Sequence, residues 1–216
     1  VIPLFIPYVN RSDLLNKAWS SVYDIDGVDS HVIDNSESGI ANDTAIVYGA
    51  RQDALRPPVP LTFAQSQNWM CRLTIEAHQP FYLFLHNDAE AGEGTVHKLI
   101  ELGRRLVSEG KKWGCLWTNY DSLAAINIAA IVDTGPWDTN IPQYFCDNDR
   151  YLRFRLAGWE CIDTGLPVTH TPSQTINSDP ELKFINSVTF PLYEYYYSVK
   201  HGGSPGKERF RTAFNR

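Results

Sequence analysis

No glycine-rich phosphate cradle follows any candidate strand of this 216-residue chain. Gly-x-Gly-x-x-Gly and Gly-x-x-x-x-Gly-Lys-Ser/Thr are both missing, and the first strand turns instead through Pro7-Tyr8-Val9-Asn10. That disfavours a dinucleotide oxidoreductase or a P-loop ATPase, which need such a loop to bring backbone N–H groups onto phosphates. A Gly-x-Ser-x-Gly elbow and a His-Glu-x-x-His helix are missing too, so serine-hydrolase and zinc-protease readings start low. Cysteine is scarce: Cys71, Cys115, Cys146 and Cys161 stand far apart in apolar stretches. They fit neither a disulfide framework nor a Cys-x-x-Cys zinc site, and read as buried thiols in a reducing, cytoplasmic compartment. Positive charge is short as well. A net charge of −6 argues against a nucleic-acid or membrane-surface partner, since both reward basic faces. No apolar run approaches the roughly 18 residues of a membrane span, and no signal peptide is read. Val1 enters a strand directly, so a processed chain, or a piece with further domains in a longer chain, is expected.

What is present alternates strands with helices. Val1–Ile6 and Val28–Ile33 read as strands around a helix from Ser12, its N-cap, to about Tyr23. Ala45–Tyr48 is a short strand candidate, Arg56–Pro60 a loop, and Ala64–Ala77 a helix. Within Phe81 to Ala91 an uncharged aromatic-aliphatic run reads as a buried strand, and it ends abruptly in His86, Asn87, Asp88 and Glu90. Thr95–Glu109 is an amphipathic helix; Trp113–Thr118 and Ala124–Val132 are strands; Asp147–Leu156 is a helix. Short strands near Trp159–Ile162 and Pro167–Thr169 follow, the latter ending at His170. Pro191–Lys200 is an aromatic helix, and residues 201–216 form a flexible basic tail. The pattern predicts one α/β domain with a mainly parallel, Rossmann-like sheet flanked by helices and a less regular C-terminal part.

Polar residues recur at successive strand ends: Tyr8 and Asn10, Asp34, Asp88 and Glu90, then His170. Parallel strands put their carboxyl ends on one side of the sheet, where open α/β folds bind ligands. If the fourth strand stays extended, Asp88 and Glu90 project to the same side and can share one cation. Two carboxylates and an imidazole suit Mn²⁺ or Mg²⁺ holding a diphosphate, and an acidic chain needs such a source of positive charge. The bland alternatives are a solvated loop after a strand, a structural or surface His170, and helix-start acids at Asp147 and Asp149. Asn68 and Arg72, one helical turn apart, either meet the ribose or phosphates or belong to a solvated helix face. The six Trp and eleven Tyr suit a stacking or sugar-facing cleft as well as an aromatic core.

Val32-Ile-Asp-Asn-Ser36, the Asn-bearing Gln67-Asn68-Trp69, Leu83-Phe-Leu-His-Asn-Asp-Ala-Glu90 and Tyr144 to Trp159 together resemble nucleotide-sugar glycosyltransferases of the GT-A fold. The resemblance covers about residues 1 to 172 and is nearest the inverting family 2 and its rhamnosyltransferase-like members. The tail around Tyr195–Gly203 is similar to glycosyltransferase domains of large algal viruses. It implies a nucleotide-binding half, 1–110, and an acceptor half, 111–200. The donor would be a UDP-sugar of glucose or rhamnose type, and the acceptor a glycan or glycoprotein hydroxyl. Pro7, Tyr8, Asn10, Asp34, Asn68, Arg72, Asn87 and Asp88 would then face the nucleotide-sugar. Asp88-Ala89-Glu90 would match the Asp-x-Asp motif, so Asp88, Glu90 and His170 would ligate the metal, with Glu in place of the final Asp. Asp147 would match the base of a Glu-Asp pair whose Glu is Cys146 here, with Asp149 competing. Lys200, Lys207, Arg209 and Arg211 bracket a glycine stretch that reads as a linker or as a lid over the diphosphate. A sugar-nucleotide pyrophosphorylase shares this sheet but wants a glycine-bearing loop after the first strand. A non-catalytic carbohydrate- or protein-binding domain is the third reading.

Overall fold

Apolar residues at nearly every position of Ile2–Tyr8 (β1) and Phe81–Leu85 (β4) leave these segments no solvent face, and both become central strands. The computed structural model describes residues 1–41 and 43–216. Around β1 and β4 stand α1 (Ser12–Ser20), β2 (Val28–Asp34), α2 (Tyr48–Gln52), β3 (Ala54–Leu55) and α3 (Phe63–Glu76). After β4 come β5 (Ala89–Ala91), α4 (Thr95–Ser108), β6 (Trp113–Thr118), β7 (Leu123–Asn127), α5 (Ile128–Thr134) and α6 (Cys146–Leu156). The chain closes with β8 (Glu160–Asp163), β9 (Val168–His170), α7 (Gln174–Asn177) and α8 (Pro180–His201). Seven strands form the main sheet in the order β3-β2-β1-β4-β7-β6-β8, in which β7 runs antiparallel to both neighbours and the other pairings are parallel. The expected mainly parallel α/β sheet is therefore the architecture of the chain.

Side chains alternate across β4 and feed two cores. Phe81, Leu83 and Leu85 pack with Leu15 and Trp19 of α1 and Leu99 of α4. Tyr82 and Phe84 pack on the other face with Met70 of α3 and Phe154 of α6. Gly114 of β6 lets α6 approach, because a Cβ there would lie 2.7 Å from the Phe154 ring.

Several local expectations change. Arg11, in left-handed conformation, occupies the N-cap of α1 in place of Ser12, without a side-chain cap. Ala45–Tyr48 is not a strand: Tyr48 opens α2, and the third strand is Ala54–Leu55. The apolar run 124–132 splits in two because Asn127 stops the strand and caps α5, its Oδ1 accepting from the Ala129 N–H at 2.9 Å. Helix α8 begins eleven residues earlier than Pro191, where Asp179 caps it and Pro180 stands in the first turn. The tail is folded back on α8. The N–H groups of Arg209 and Phe210 reach the His201 carbonyl at 3.0 Å, and Tyr197 donates to Glu208 at 2.6 Å. Neither lid nor free linker describes it, and Lys200 is buried beneath it in ion pairs with Asp138 and Asp149.

Candidate active site

Two adjoining cavities lie outside the carboxyl ends of β1, β2 and β4, the position an open α/β sheet offers a ligand. The outer one, about 620 Å³, is lined by Tyr8, Asn10, Ser36 and Asp43; the inner, about 410 Å³, by His86, Asp88, Asp147 and His170. Parallel register sets Tyr8 level with Asp34. Asp34 is 3% exposed and saturated: its Oδ1 accepts from the Ser36 hydroxyl and N–H, its Oδ2 from the Ile40 N–H at 3.0 Å and Arg56 at 2.8 Å. Burial alone would raise its pKa; these donors outweigh it and hold Asp34 below the ordinary carboxylate range. Asp34 lines neither cavity; it lies behind the outer one, where it holds Ser36 in the lining, and Arg56, which no motif announces, neutralises it.

The inner cavity is organised by a turn. After Leu85 the chain bends at Asn87-Asp88, the Ala89 N–H bonding to the His86 carbonyl at 3.1 Å, and β5 starts in a new direction. Strand β5 pairs antiparallel with β9 in a separate two-stranded sheet, with Ala89 opposite His170. That pairing delivers His170 to Asp88, Nε2 to Oδ1 at 3.2 Å. His86, on the near side of the turn, completes the group: one ligand atom from each of His86, Asp88 and His170 lies within 4.8 Å of the others.

Glu90 is the correction. The turn at Asn87-Asp88 breaks the period of two on which its alignment with Asp88 depended, and Glu90 stands exposed on β5 opposite Thr169. His86 takes the place in the cluster expected of Glu90, and with Asp88 it keeps the one-residue spacing. The sequence already showed His86 at the end of the buried strand; what it hid was the turn.

The three residues suit a divalent ion. His86 Nε2 is sheltered from solvent and has no hydrogen-bond partner among the described residues. The ring is held by Phe84, stacked at 5.9 Å, and by the edge contact of Phe63 at 5.7 Å. Burial lowers the His86 pKa to about 4, so the imidazole is neutral and its lone pair free at neutral pH. Burial likewise works against ionised Asp88, but the hydrogen bonds from His170 and from the Gln174 N–H hold the carboxylate below its usual range. Two imidazoles and one carboxylate suit a divalent first-row transition ion, a class that includes Mn²⁺, better than Mg²⁺, which takes oxygen ligands. Replacing His86 with Ala is expected to lower Mn²⁺ affinity by at least the roughly 10–100-fold seen for lost outer-shell partners, whereas Glu90→Gln stays within about twofold. Metal titration of both variants checks this.

Asp147 and Asp149 part company here. Both sit in the first turn of α6, where the macrodipole favours an acid. Asp149 is wholly buried against Arg153 at 2.7 Å, Lys200 at 2.6 Å and His201 at 2.8 Å. Burial opposes its charge, but the His201 hydrogen bond and the charges of Arg153 and Lys200 overwhelm that, so its pKa is depressed. It cannot reach an acceptor. Asp147 faces the inner cavity and accepts from the Tyr120 hydroxyl at 2.6 Å. Burial, then the charge of neighbouring Asp121, push its pKa up to about 6 against the Tyr120 hydrogen bond. Asp121, itself buried and bonded to the Tyr151 hydroxyl at 3.0 Å, is raised to about 6, chiefly by burial. Neither Asp121 nor Tyr120 carries a sequence signal; a tight turn between β6 and β7 brings them in.

The Asp121 shift has a testable sign. A carboxyl that holds its proton more tightly folded than unfolded penalises the folded state above about pH 6, and the penalty disappears as pH falls toward 4. Asp121→Asn is expected to stabilise the protein by about 1–2 kcal/mol at pH 7.5 and by little at pH 4, and to move the Asp147 titration downward. Denaturant melts at the two pH values give the answer.

The remaining candidates divide cleanly. Pro7, Asn87 and Asp88 line the inner cavity, Tyr8 and Asn10 the outer. Asn68 bridges the Trp137 backbone, accepting at 2.8 Å and donating at 3.0 Å, and Arg72 is an exposed partner of Glu76 at 2.8 Å. Both lie outside the cavities and belong to the bland reading of that helix. Helix α7 closes one side of the inner cavity: the Gln174 N–H reaches Asp88 Oδ2 at 3.3 Å and the Thr175 hydroxyl reaches Asn87 at 3.2 Å.

No protein-family model matches the sequence, and no curated protein matches it. Solved structures do match in fold. A mannosyltransferase of Pyrobaculum calidifontis, PcManGT, in complex with GDP-Man and Mn²⁺, superimposes with a TM-score of 0.58 at 12% identity, covering 91% of this chain and 69% of that one. Glucosyl-3-phosphoglycerate synthase of Mycobacterium tuberculosis, in complex with Mn²⁺, UDP and glucosyl-3-phosphoglycerate, gives 0.57 at 14% identity, covering 88% and 79%. TarS residues 1–349 of S. aureus give 0.53 at 10% identity, and this chain spans 55% of that one. The fold is that of GT-A glycosyltransferases. No helix among the described residues is long and apolar enough to cross a membrane.

Proposed function

We propose that the chain is a metal-dependent glycosyltransferase that moves a sugar from a nucleoside diphosphate to a hydroxyl acceptor. The supporting observation is one cavity in which the His86, Asp88 and His170 cluster, with its unpartnered imidazole nitrogen, faces the same space as the raised carboxylate of Asp147. The fold shared with Mn²⁺ complexes of PcManGT and the glucosyl-3-phosphoglycerate synthase supports the same reading. The donor is a UDP-sugar of glucose or rhamnose type and the acceptor a glycan or glycoprotein. In this reading the outer cavity takes the nucleoside, between Tyr8, Asn10 and Ser36 above Asp34.

His86, Asp88 and His170 would hold the divalent ion, Mn²⁺ by preference, which would supply a Lewis acid for the charge growing on the departing diphosphate. Among the described residues no Lys or Arg lines the inner cavity, so that charge has no side-chain cation there to meet it. Asp147 accepts the proton of the attacking hydroxyl. Its pKa of about 6 makes it a stronger base than an ordinary aspartate yet leaves it ionised at neutral pH. Tyr120 orients that carboxylate by donating to one oxygen, which leaves the other for the acceptor. Turnover of a UDP-sugar panel with Mn²⁺ tests the proposal: release of UDP with at least one donor is expected, and its absence with every donor leaves a non-catalytic domain.

A further inference from the structure

The inner cavity carries information about the acceptor that fold likeness does not. Resting on the glycosyltransferase reading above, we propose that the acceptor is an uncharged carbohydrate whose ring stacks on Tyr120 and Tyr144 at the mouth of the inner cavity. Both residues line that cavity with Asp147. Tyr120 is 50% exposed, and its inner face is backed by Trp117, stacked at 6.0 Å and 29°. Tyr144 is fixed from behind by Phe190, ring centroids 5.1 Å apart, and Phe190 in turn rests on Phe145 at 5.0 Å. Two rigid aromatic faces beside a base offer contact area at little entropic cost, which suits the apolar C–H face of a pyranose.

Backbone strain marks Tyr120 independently. It sits in the β6–β7 turn with φ of 60°, after Asn119 at 40°. Hairpin turns of this kind want glycine at the second position, and a tyrosine there is costly and persists only where the surroundings hold it. What holds it is the Asp147 bond at 2.6 Å and the Asn148 amide donating to its hydroxyl at 3.1 Å.

Charge excludes the alternative class. Asp88, Asp121 and Asp147 line the cavity, while Lys and Arg are absent from its lining. One divalent ion does not neutralise those carboxylates together with a nucleoside diphosphate, so a phosphorylated or carboxylated acceptor finds only like charge. The transfer itself is balanced with a neutral alcohol. The acceptor oxygen forms a bond to the anomeric carbon, the bond from that carbon to the diphosphate oxygen breaks with its electron pair, and the hydroxyl proton passes to Asp147.

The test uses the whole chain with Mn²⁺ and the active donor from the UDP-sugar panel. Acceptors are methyl glycosides of common hexoses and deoxyhexoses, the corresponding sugar 6-phosphates, and 3-phosphoglycerate; donor hydrolysis is followed in parallel. The expected result is a preference in kcat/KM of roughly 100-fold or more for the neutral glycosides. Tyr144→Ala is expected to raise the KM for the best glycoside about tenfold, and Tyr144→Phe to restore it. Gln143→Arg, exposed at the same mouth, should narrow the preference by admitting phosphorylated acceptors. Equal or better use of the phosphorylated compounds overturns the inference, as does a Tyr144→Ala variant with unchanged KM. Donor hydrolysis without transfer to any glycoside overturns it too and leaves the transferase reading standing. Loss of both hydrolysis and transfer removes that reading, and this inference with it.

Discussion

Asp147→Asn is expected to lower the rate of sugar transfer about 10²- to 10⁴-fold while leaving UDP affinity in the presence of Mn²⁺ within about twofold. The substitution keeps size and shape, and the asparagine oxygen still accepts from Tyr120. It removes the group proposed to take the acceptor proton. Nothing nearby replaces it readily: Asp149 is sealed behind Arg153, Lys200 and His201, and Asp121 is buried beneath Tyr151. The wild-type rate should therefore rise with pH to a plateau, with a midpoint near 6 where Asp147 loses its proton, and the variant should lose that limb. A pH–rate profile with a calorimetric UDP titration measures both. Full transfer by Asp147→Asn would move the base elsewhere, with Asp121 the next residue to replace.

The second large effect falls on stability. Asp149→Ala is expected to destabilise the fold by about 3–5 kcal/mol, because it leaves Arg153 and His201 buried without their carboxylate and Lys200 with Asp138 alone. For a chain of this length that is a fall in melting temperature of about 6–20 °C. The sign with pH is opposite to that at Asp121. A depressed carboxylate stabilises the folded state above its unfolded pKa near 4 and loses that contribution as pH falls further. The gap between wild type and variant should therefore start to narrow only below about pH 4 and keep narrowing as the pH falls further, and thermal melts between pH 2 and 7 show whether it does. Two acids two positions apart on α6 thus have different surroundings: Asp147 faces the inner cavity, and Asp149 ties α6 to α8.

Those surroundings also mark where sequence reasoning stopped. Strand and helix order was legible, because unbroken apolar runs such as Phe81–Leu85 admit one placement in a parallel sheet. Polar residues at successive strand ends placed the cleft, and Asp88, His170, Tyr8, Asn10 and Asp147 face it. Glu90 was assigned to the metal by carrying the strand past its true end at Leu85; the turn at Asn87-Asp88 has no glycine or proline to announce it. Choosing Asp147 over Asp149 needed the partner helix, since Lys200 and His201 lie about fifty residues further along. Tyr120 and Asp121 were hidden for a related reason. Their turn forces a tyrosine into a conformation that its sequence does not suggest. Asn68 and Arg72 look the same on a helix wheel whether they meet a ribose or a backbone carbonyl.

The cluster of His86, Asp88 and His170 is the proposed metal and diphosphate anchor. Isothermal titration of UDP into the protein, with Mn²⁺ and then with excess chelator, addresses it directly. Binding should be clear with Mn²⁺ and weaken by tenfold or more when the metal is removed, with His86→Ala behaving like the chelated protein. UDP affinity that is the same with and without Mn²⁺ would contradict it.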